Sequence, residues 1–211
     1  MNKRSAIKEI NHHGMLLVFP VNNQTEPQSL WSQFYPKSKM VWDWNDEGGE
    51  RVHALWRLMK DLSDSRQVVY SKWYQGRATF FSRGLFTALL RLRKETALSR
   101  QARDILDVLE ESSPLSTKEI KKLTDLQGKD NVRLYNRAMK ELFSNFSIVG
   151  FGEVDDGAFP SLAVGSTRAL YEDLWKASQA LSKESAQEIL NEYMVIGSKF
   201  RSFFEKSNTK A

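Results

Sequence analysis

The stretch from Ser113 to Ser166 limits the possible folds more than any other part of the chain. It contains Ser116-Thr117-Lys118-Glu119, a capping box in which the serine and glutamate side chains each satisfy a free backbone N–H at a helix start. Pro114 keeps the approach extended, and Gly128 stops the short helix and opens a turn. From Asn131 to Asn145 the apolar residues Val132, Tyr135, Met139, Leu142 and Phe143 recur at helical spacing. Two apolar runs then flank Asp155-Asp156-Gly157, and Asp-Gly between such runs signals a β-hairpin. A further helical pattern at Ala102–Glu111 precedes the stretch, so the order is helix, helix, helix, hairpin. That is the order of a winged helix-turn-helix, and duplex DNA is the usual partner of such a unit.

The third of these helices has a composition suited to DNA. Arg133, Asn136, Arg137 and Lys140 fall opposite its apolar face, within roughly a quarter turn at about 100° per residue. Arginine can fork onto guanine, asparagine onto adenine, and lysine can meet phosphate. A charged helix face also serves simply as solvated surface, and winged helices dock proteins as well as DNA. The expected wing carries Glu153, Asp155 and Asp156, which a phosphate backbone repels. Such a wing suits a basic protein partner better than the flank of a duplex.

The net charge of +5 is unevenly spread. Residues 66–103 hold nine basic side chains against one acidic, whereas residues 1–65 balance at eight of each and residues 104–211 hold fourteen against seventeen. The basic excess therefore sits just ahead of the expected winged helix. Lys72, Arg77, Arg83, Arg91 and Lys94 are expected to line a DNA backbone there. Between Lys72 and Arg83 basic and aromatic residues interleave, a mixture that can stack bases and neutralise phosphates together. The same mixture arises where a strand and a helix bury their aromatics and leave the charges wet.

Other chemistries find little support. No run of 18 apolar residues is present, so no membrane helix is expected, and the N-terminal residues lack the apolar core of a secretory signal. The chain has no cysteine, which excludes disulfides and thiolate metal sites and fits a cytoplasmic location. His12, His13 and His53 lack metal-ligand spacing, and the phosphate-binding and dinucleotide motifs are missing, so no metal and no cofactor is expected. Asp43 and Glu47 are the candidate catalytic residues. They lie in an acidic turn beside Trp42 and Trp44, where an apolar setting raises a carboxylate's pKa toward that of a general base. Acidic residues ahead of a helix are equally ordinary dipole partners.

The remaining pattern gives an α+β fold. Strands are expected at Met15–Val21, Lys39–Trp44 and Gln67–Tyr74, and helices at Ser29–Tyr35, Val52–Leu62, Ala78–Lys94, Arg168–Leu181 and Glu184–Phe204, with Lys206–Ala211 disordered. No internal sequence repeat is visible. The domains are accordingly read as an α/β N-terminal part at 1–98, a winged helix-turn-helix at 99–167, and a helical segment at 168–211.

Three stretches carry a resemblance to a known family: KWYQGRATFFSRGLF at Lys72–Phe86, SPLSTKEIKKL at Ser113–Leu123, and VGFGEVDDGAFPSLAVGSTR at Val149–Arg168. Their combination resembles the AlkZ-related (YcaQ-like) winged-helix proteins, relatives of bacterial DNA glycosylases built from tandem winged helices. In the glycosylases a Gln-x-Gln motif carries the excision of alkylated or crosslinked bases. This sequence has no Gln-x-Gln; Gln75 and Gln101 stand alone. The resemblance thus implies double-stranded DNA as partner, in DNA repair or regulation, without the excision motif. The first expectation is a non-catalytic DNA-binding protein. The alternatives are a glycosylase-like enzyme that flips a damaged base into a pocket lined by Trp42, Trp44 or Trp73, with Asp43 or Glu47 activating water, and a protein–protein adaptor.

Overall fold

Serine hydroxyls set several of the helix starts. Ser82, Ser99, Ser116, Ser166 and Ser182 each have extended backbone and accept from the N–H three residues on, and each begins a helix. The computed structural model describes residues 2–41, 47–154 and 161–209. These form eleven α-helices and one six-stranded antiparallel sheet.

The chain passes through one succession of elements twice. The first pass is α1 (Lys3–His13), β1 (Met15–Leu17), α2 (Leu30–Phe34), α3 (Glu47–Ser63), β2 (Val68–Ser71) and β3 (Thr79–Ser82). After the linking helix α4 (Arg83–Leu92) comes α5 (Arg100–Glu111), β4 (Leu115–Ser116), α6 (Thr117–Leu123), a 3-10 turn at Lys129–Asn131, α7 (Val132–Ser144), β5 (Ile148–Val154) and β6 (Ser161–Ser166). In each pass the first strand pairs with the third and the third with the second. The two sheets join edge to edge where Tyr70 of β2 sits opposite Gly150 of β5. The resulting order, β1-β3-β2-β5-β6-β4, is therefore the same read inward from either edge. Four short helices complete the chain: α8 (Thr167–Leu170), α9 (Glu172–Ala180), α10 (Lys183–Tyr193) and α11 (Lys199–Thr209).

Alternation of side chains along the strands separates the core into layers. Leu16, Val68, Tyr70 and Phe80 face α1, α2 and α3 and pack with Ile10, Trp31, Leu55 and Leu62. Ile148 shares a face with Gly150, and hence with Tyr70 opposite it, and together with Val164 it packs under Ile105, Ile120, Ala138 and Leu142 of α5, α6 and α7. Met15, Val69, Phe81 and Val149 point the other way, onto Leu85 and Leu89 of α4 and onto Tyr171, Leu190 and Phe204 of the C-terminal helices. The helices of both passes thus cover one face of the sheet, and α4 with the C-terminal helices covers the other.

The seam between the two halves is tight. A Cβ on Gly150 would stand 2.1 Å from Cδ1 of Tyr70, so the phenol ring occupies the space a side chain would need. Gly152, at φ +68°, sits in the irregular part of β5 between Gly150 and Glu153 and donates its N–H to Ser63 Oγ at 2.9 Å, tying the end of α3 to the second half. On the other face Tyr171 donates its hydroxyl to the Val68 carbonyl at 3.2 Å. Arg66 donates to the Leu170 carbonyl at 2.9 Å, with its guanidinium 5.0 Å above the Phe151 ring.

The expected strand Met15–Val21 ends at Leu17, the expected helix Arg168–Leu181 is interrupted at Tyr171, and further readings from the sequence change. Residues 79–82 are strand β3 rather than the first turn of the Ala78–Lys94 helix; Phe80 and Phe81 are buried on opposite faces, as in a strand buried on both sides. Residues 39–41 of the expected Lys39–Trp44 strand have no regular structure, and residues 42–44 lie outside the described residues. The expected helix Glu184–Phe204 breaks at Met194–Ser198, where Gly197 takes φ +84°. Lys206–Thr209, expected to be disordered, continue α11.

Two measurements check the seam. Gly150→Ala should destabilise the fold by about 1–3 kcal/mol through overpacking, read by denaturant unfolding, with a smaller loss in a Tyr70→Leu background because the ring causes it. Burial, opposed by Arg66 and Arg83, pushes the Tyr171 hydroxyl up from 10 to about 12. The folded state therefore favours neutral Tyr171, a contribution fully present below pH 10 and lost as pH rises toward 12. Tyr171→Phe should flatten that part of the alkaline stability profile.

Candidate nucleic-acid interface

Helix α7 is held by Tyr135, Ala138, Met139, Leu142 and Phe143, all buried. Val132, expected on the same apolar face, is instead 43% exposed at the helix start. The opposite side presents Arg133, Asn136, Arg137 and Lys140, all exposed, so the structure brings the four expected residues together on one surface. The only carboxylate in α7, Glu141, is turned away: it accepts from the Ser99 backbone N–H at 2.8 Å and from the Ser99 hydroxyl at 2.7 Å, supporting the start of α5. The outward arc of α7 consequently carries hydrogen-bond donors and no carboxylate.

The turn before α7 is fixed by Asn131, whose side-chain amide donates to the carbonyls of Gln127 at 2.9 Å and Asp125 at 3.2 Å. In α6 the capping box expected from the sequence is present, with Ser116 and Glu119 bonded reciprocally. Lys121 places its ammonium 4.7 Å from the centre of the buried Tyr135 ring, and Lys118 and Lys122 are exposed on the same short helix. Asp125 and Asp130 are exposed beside the turn, so the positive surface is bounded at that end.

The basic middle segment is used differently. Arg83 pairs with Asp173 and donates to the Arg66 carbonyl at 2.7 Å. Arg93 donates to the Asn145 carbonyl at 2.8 Å and lies 4.7 Å over the Trp175 ring; burial there lowers its pKa. The half-buried Arg91 has a buried Nε without a hydrogen-bond partner. Lys72 is half-buried, which lowers its pKa, whereas Arg77 and Lys94 are exposed. Helix α4, which carries Arg83 and Arg91, packs on the face of the sheet opposite α7, so the structure does not bring these cations to the α7 surface. The connection between Lys72 and Arg77 stacks through Trp73 on Phe146 at 5.6 Å, in the same core layer as α4.

The aromatics interleaved with those cations are core. Trp73 and Tyr74 are buried against Phe200 and Phe203 of α11, and so are unavailable for stacking on bases. Trp42, Trp44 and Asp43 lie outside the described residues, as do Asp155 and Asp156 of the acidic hairpin; Glu47 begins α3, with its side chain outside the description. Glu153 is half-buried in β5. Among the described residues no group of three or more His, Cys, Asp or Glu side chains is placed to hold a metal ion, and no helix is long and apolar enough to cross a membrane.

These placements separate two kinds of cation. Arg93→Ala should destabilise the fold by about 1–2 kcal/mol through loss of a hydrogen bond and a ring contact. Arg77→Ala, Lys94→Ala and Arg137→Ala should stay within about 0.5 kcal/mol of the parent, as exposed surface substitutions do. Thermal and denaturant melts of the four variants measure the difference.

No curated protein and no solved structure gives a significant match to the chain. The family model described as AlkZ related matches residues 2–205. The resemblance read from the sequence therefore holds over nearly the whole chain, and the protein belongs to the AlkZ-related family, which is tied to DNA glycosylase-like proteins.

Proposed function

We propose that this protein binds double-stranded DNA, with residues 99–167 acting as a winged helix-turn-helix whose helix α7 enters the major groove. The observation that carries this reading is the outward arc of α7: Arg133, Asn136, Arg137 and Lys140 are exposed together while Glu141 is engaged by Ser99. The topology of that part supports it, since three helices are followed by two long strands and the short β4 lies beside β6. Family membership supports it independently. Residues 1–98 and 168–211 then serve as the α/β part and the helical segment against which the unit is braced.

In this role Arg137 and Asn136 face base edges, where one good bidentate contact is worth about 1–3 kcal/mol of discrimination. Arg133 and Lys140 meet phosphates, assisted by Lys118 and Lys122 from α6. The chemistry is that of recognition, in DNA repair or regulation, and asks for no catalytic group.

Fluorescence anisotropy with a labelled duplex tests the reading. Affinity should fall steeply with salt, and Arg133→Ala with Lys140→Ala should reduce the slope of log K against log salt by about 1.8, since each phosphate contact contributes about 0.9. Binding insensitive to salt, or none to any duplex, would overturn the proposal.

A further inference from the structure

The second pass meets the C-terminal helices across a cleft of about 690 Å³, a volume typical of small-molecule sites. One wall is the end of α5, which contributes Glu110. The other is α8 and α9, which contribute Arg168, Glu172, Trp175 and Lys176. Ser113 ties the two walls together. Its hydroxyl donates to the Leu109 carbonyl at the end of α5 and accepts from the Ser166 N–H, just before α8, at 2.9 Å. Trp175 packs partly buried on the core, and Arg93 holds it from one side, 4.7 Å from the ring centre. The walls and the indole are thus set before a ligand arrives.

The charges that line the cleft balance, Glu110 and Glu172 against Arg168 and Lys176. Lys176 bonds Glu172 at 2.6 Å, so this pair offers little net charge. Glu110 and Arg168 are in a different position. Both are exposed, and among the described residues neither forms an ion pair with the other or with a third group. A phosphate dianion gains nothing from a balanced lining and faces Glu110, while a simple cation faces Arg168. A molecule that carries an ammonium and a carboxylate satisfies both free groups at once. Its carboxylate accepts from the planar guanidinium fork, and its ammonium donates to the Glu110 carboxylate. Beside these charges the Trp175 indole and the Ala169 methyl offer apolar surface for a side chain.

We propose that the cleft between α5 and α9 binds a free α-amino acid with an apolar or aromatic side chain, held by Glu110, Arg168 and Trp175. The proposal goes beyond DNA binding and does not rest on it. The amino acid acts as an effector. It bridges residues 99–167 and 168–211, and it stabilises the folded chain by mass action.

Calorimetric titration of the full chain with L-leucine, L-methionine, L-phenylalanine and L-tryptophan tests this. At least one should bind saturably with a Kd of about 1 mM or tighter, and it should raise the melting temperature. Its N-acetyl derivative, which lacks the ammonium, and its amide, which lacks the carboxylate, should each bind at least about tenfold more weakly. Glu110→Gln and Arg168→Gln should each weaken the free amino acid by about tenfold. Both residues are exposed, so the unliganded variants should melt with the parent. Glu110→Gln should also discriminate less against the N-acetyl form, and Arg168→Gln less against the amide, which a merely structural role would not produce. Arg100→Gln, on α5 but outside the cleft, should bind as the parent does. Saturable binding of none of the four amino acids, equal binding of the blocked forms, or unchanged affinity in both cleft variants overturns the proposal. So does tighter binding of guanosine monophosphate, or of a tripeptide blocked at both ends, because the cleft is then a site for phosphate or for a chain segment.

Discussion

The contact of Tyr70 with Gly150 is the constraint on which the rest of the structure depends. Two three-stranded sheets become one only if β2 and β5 approach closely enough to pair, and the Tyr70 ring lies where any side chain on residue 150 would stand. The absence of that side chain makes the seam possible, while the ring fills the space with buried aromatic surface. Once the seam is formed, β2 and β5 cease to be edges, and only β1 and the two-residue β4 remain at the ends of the sheet. The layers follow. Helices from both passes share one face of the sheet, and α4 with the C-terminal helices closes the other.

This layering determines what the positive charges do. Counted along the chain, residues 66–103 are the most basic part of the protein. In three dimensions much of that excess is internal bracing: Arg66 caps the Leu170 carbonyl, Arg83 pairs with Asp173, and Arg93 lies between Asn145 and Trp175. Guanidinium groups suit this work because they remain charged, offer several donors in a plane, and stack on rings. Helix α7 gains its open positive face by the reverse arrangement, in which its one carboxylate is drawn off to Ser99. Total charge was therefore a poorer guide to a surface than the fate of a few individual side chains.

The parts of the sequence that were legible are those governed by local rules. The capping box at Ser116, the apolar stripe of α7 and the exposed quartet Arg133, Asn136, Arg137 and Lys140 need only neighbouring residues to be read, and all but Val132 of the stripe are present in the structure. The strand at residues 79–82 was missed because a four-residue run buried on both faces has no alternation, and it passes straight into the α4 cap at Ser82. The repetition of the fold was hidden more deeply. Twelve residues separate β1 from α2, whereas β4 runs directly into α6, so no fixed period joins the two passes. What they share is the order of elements and the pairing of strands, and neither needs a shared residue type.

A fold repeated in this way allows its two halves to diverge. The scaffold needs the apolar sides of α3 and α7 to meet the sheet, and both do so with ordinary aliphatic and aromatic residues. Their outer sides are free of that requirement. On α7 the outer residues are cations, an amide and the exposed Val132 and Leu134, and on α3 they include Trp56, which is 42% exposed. Leaving part of an indole in water forgoes the free energy of burying it, about 25 cal/mol for each Å² left exposed. The enclosed part of the Trp56 ring lies over Phe19, which packs on the core beside Trp31, so packing accounts for an indole at that position.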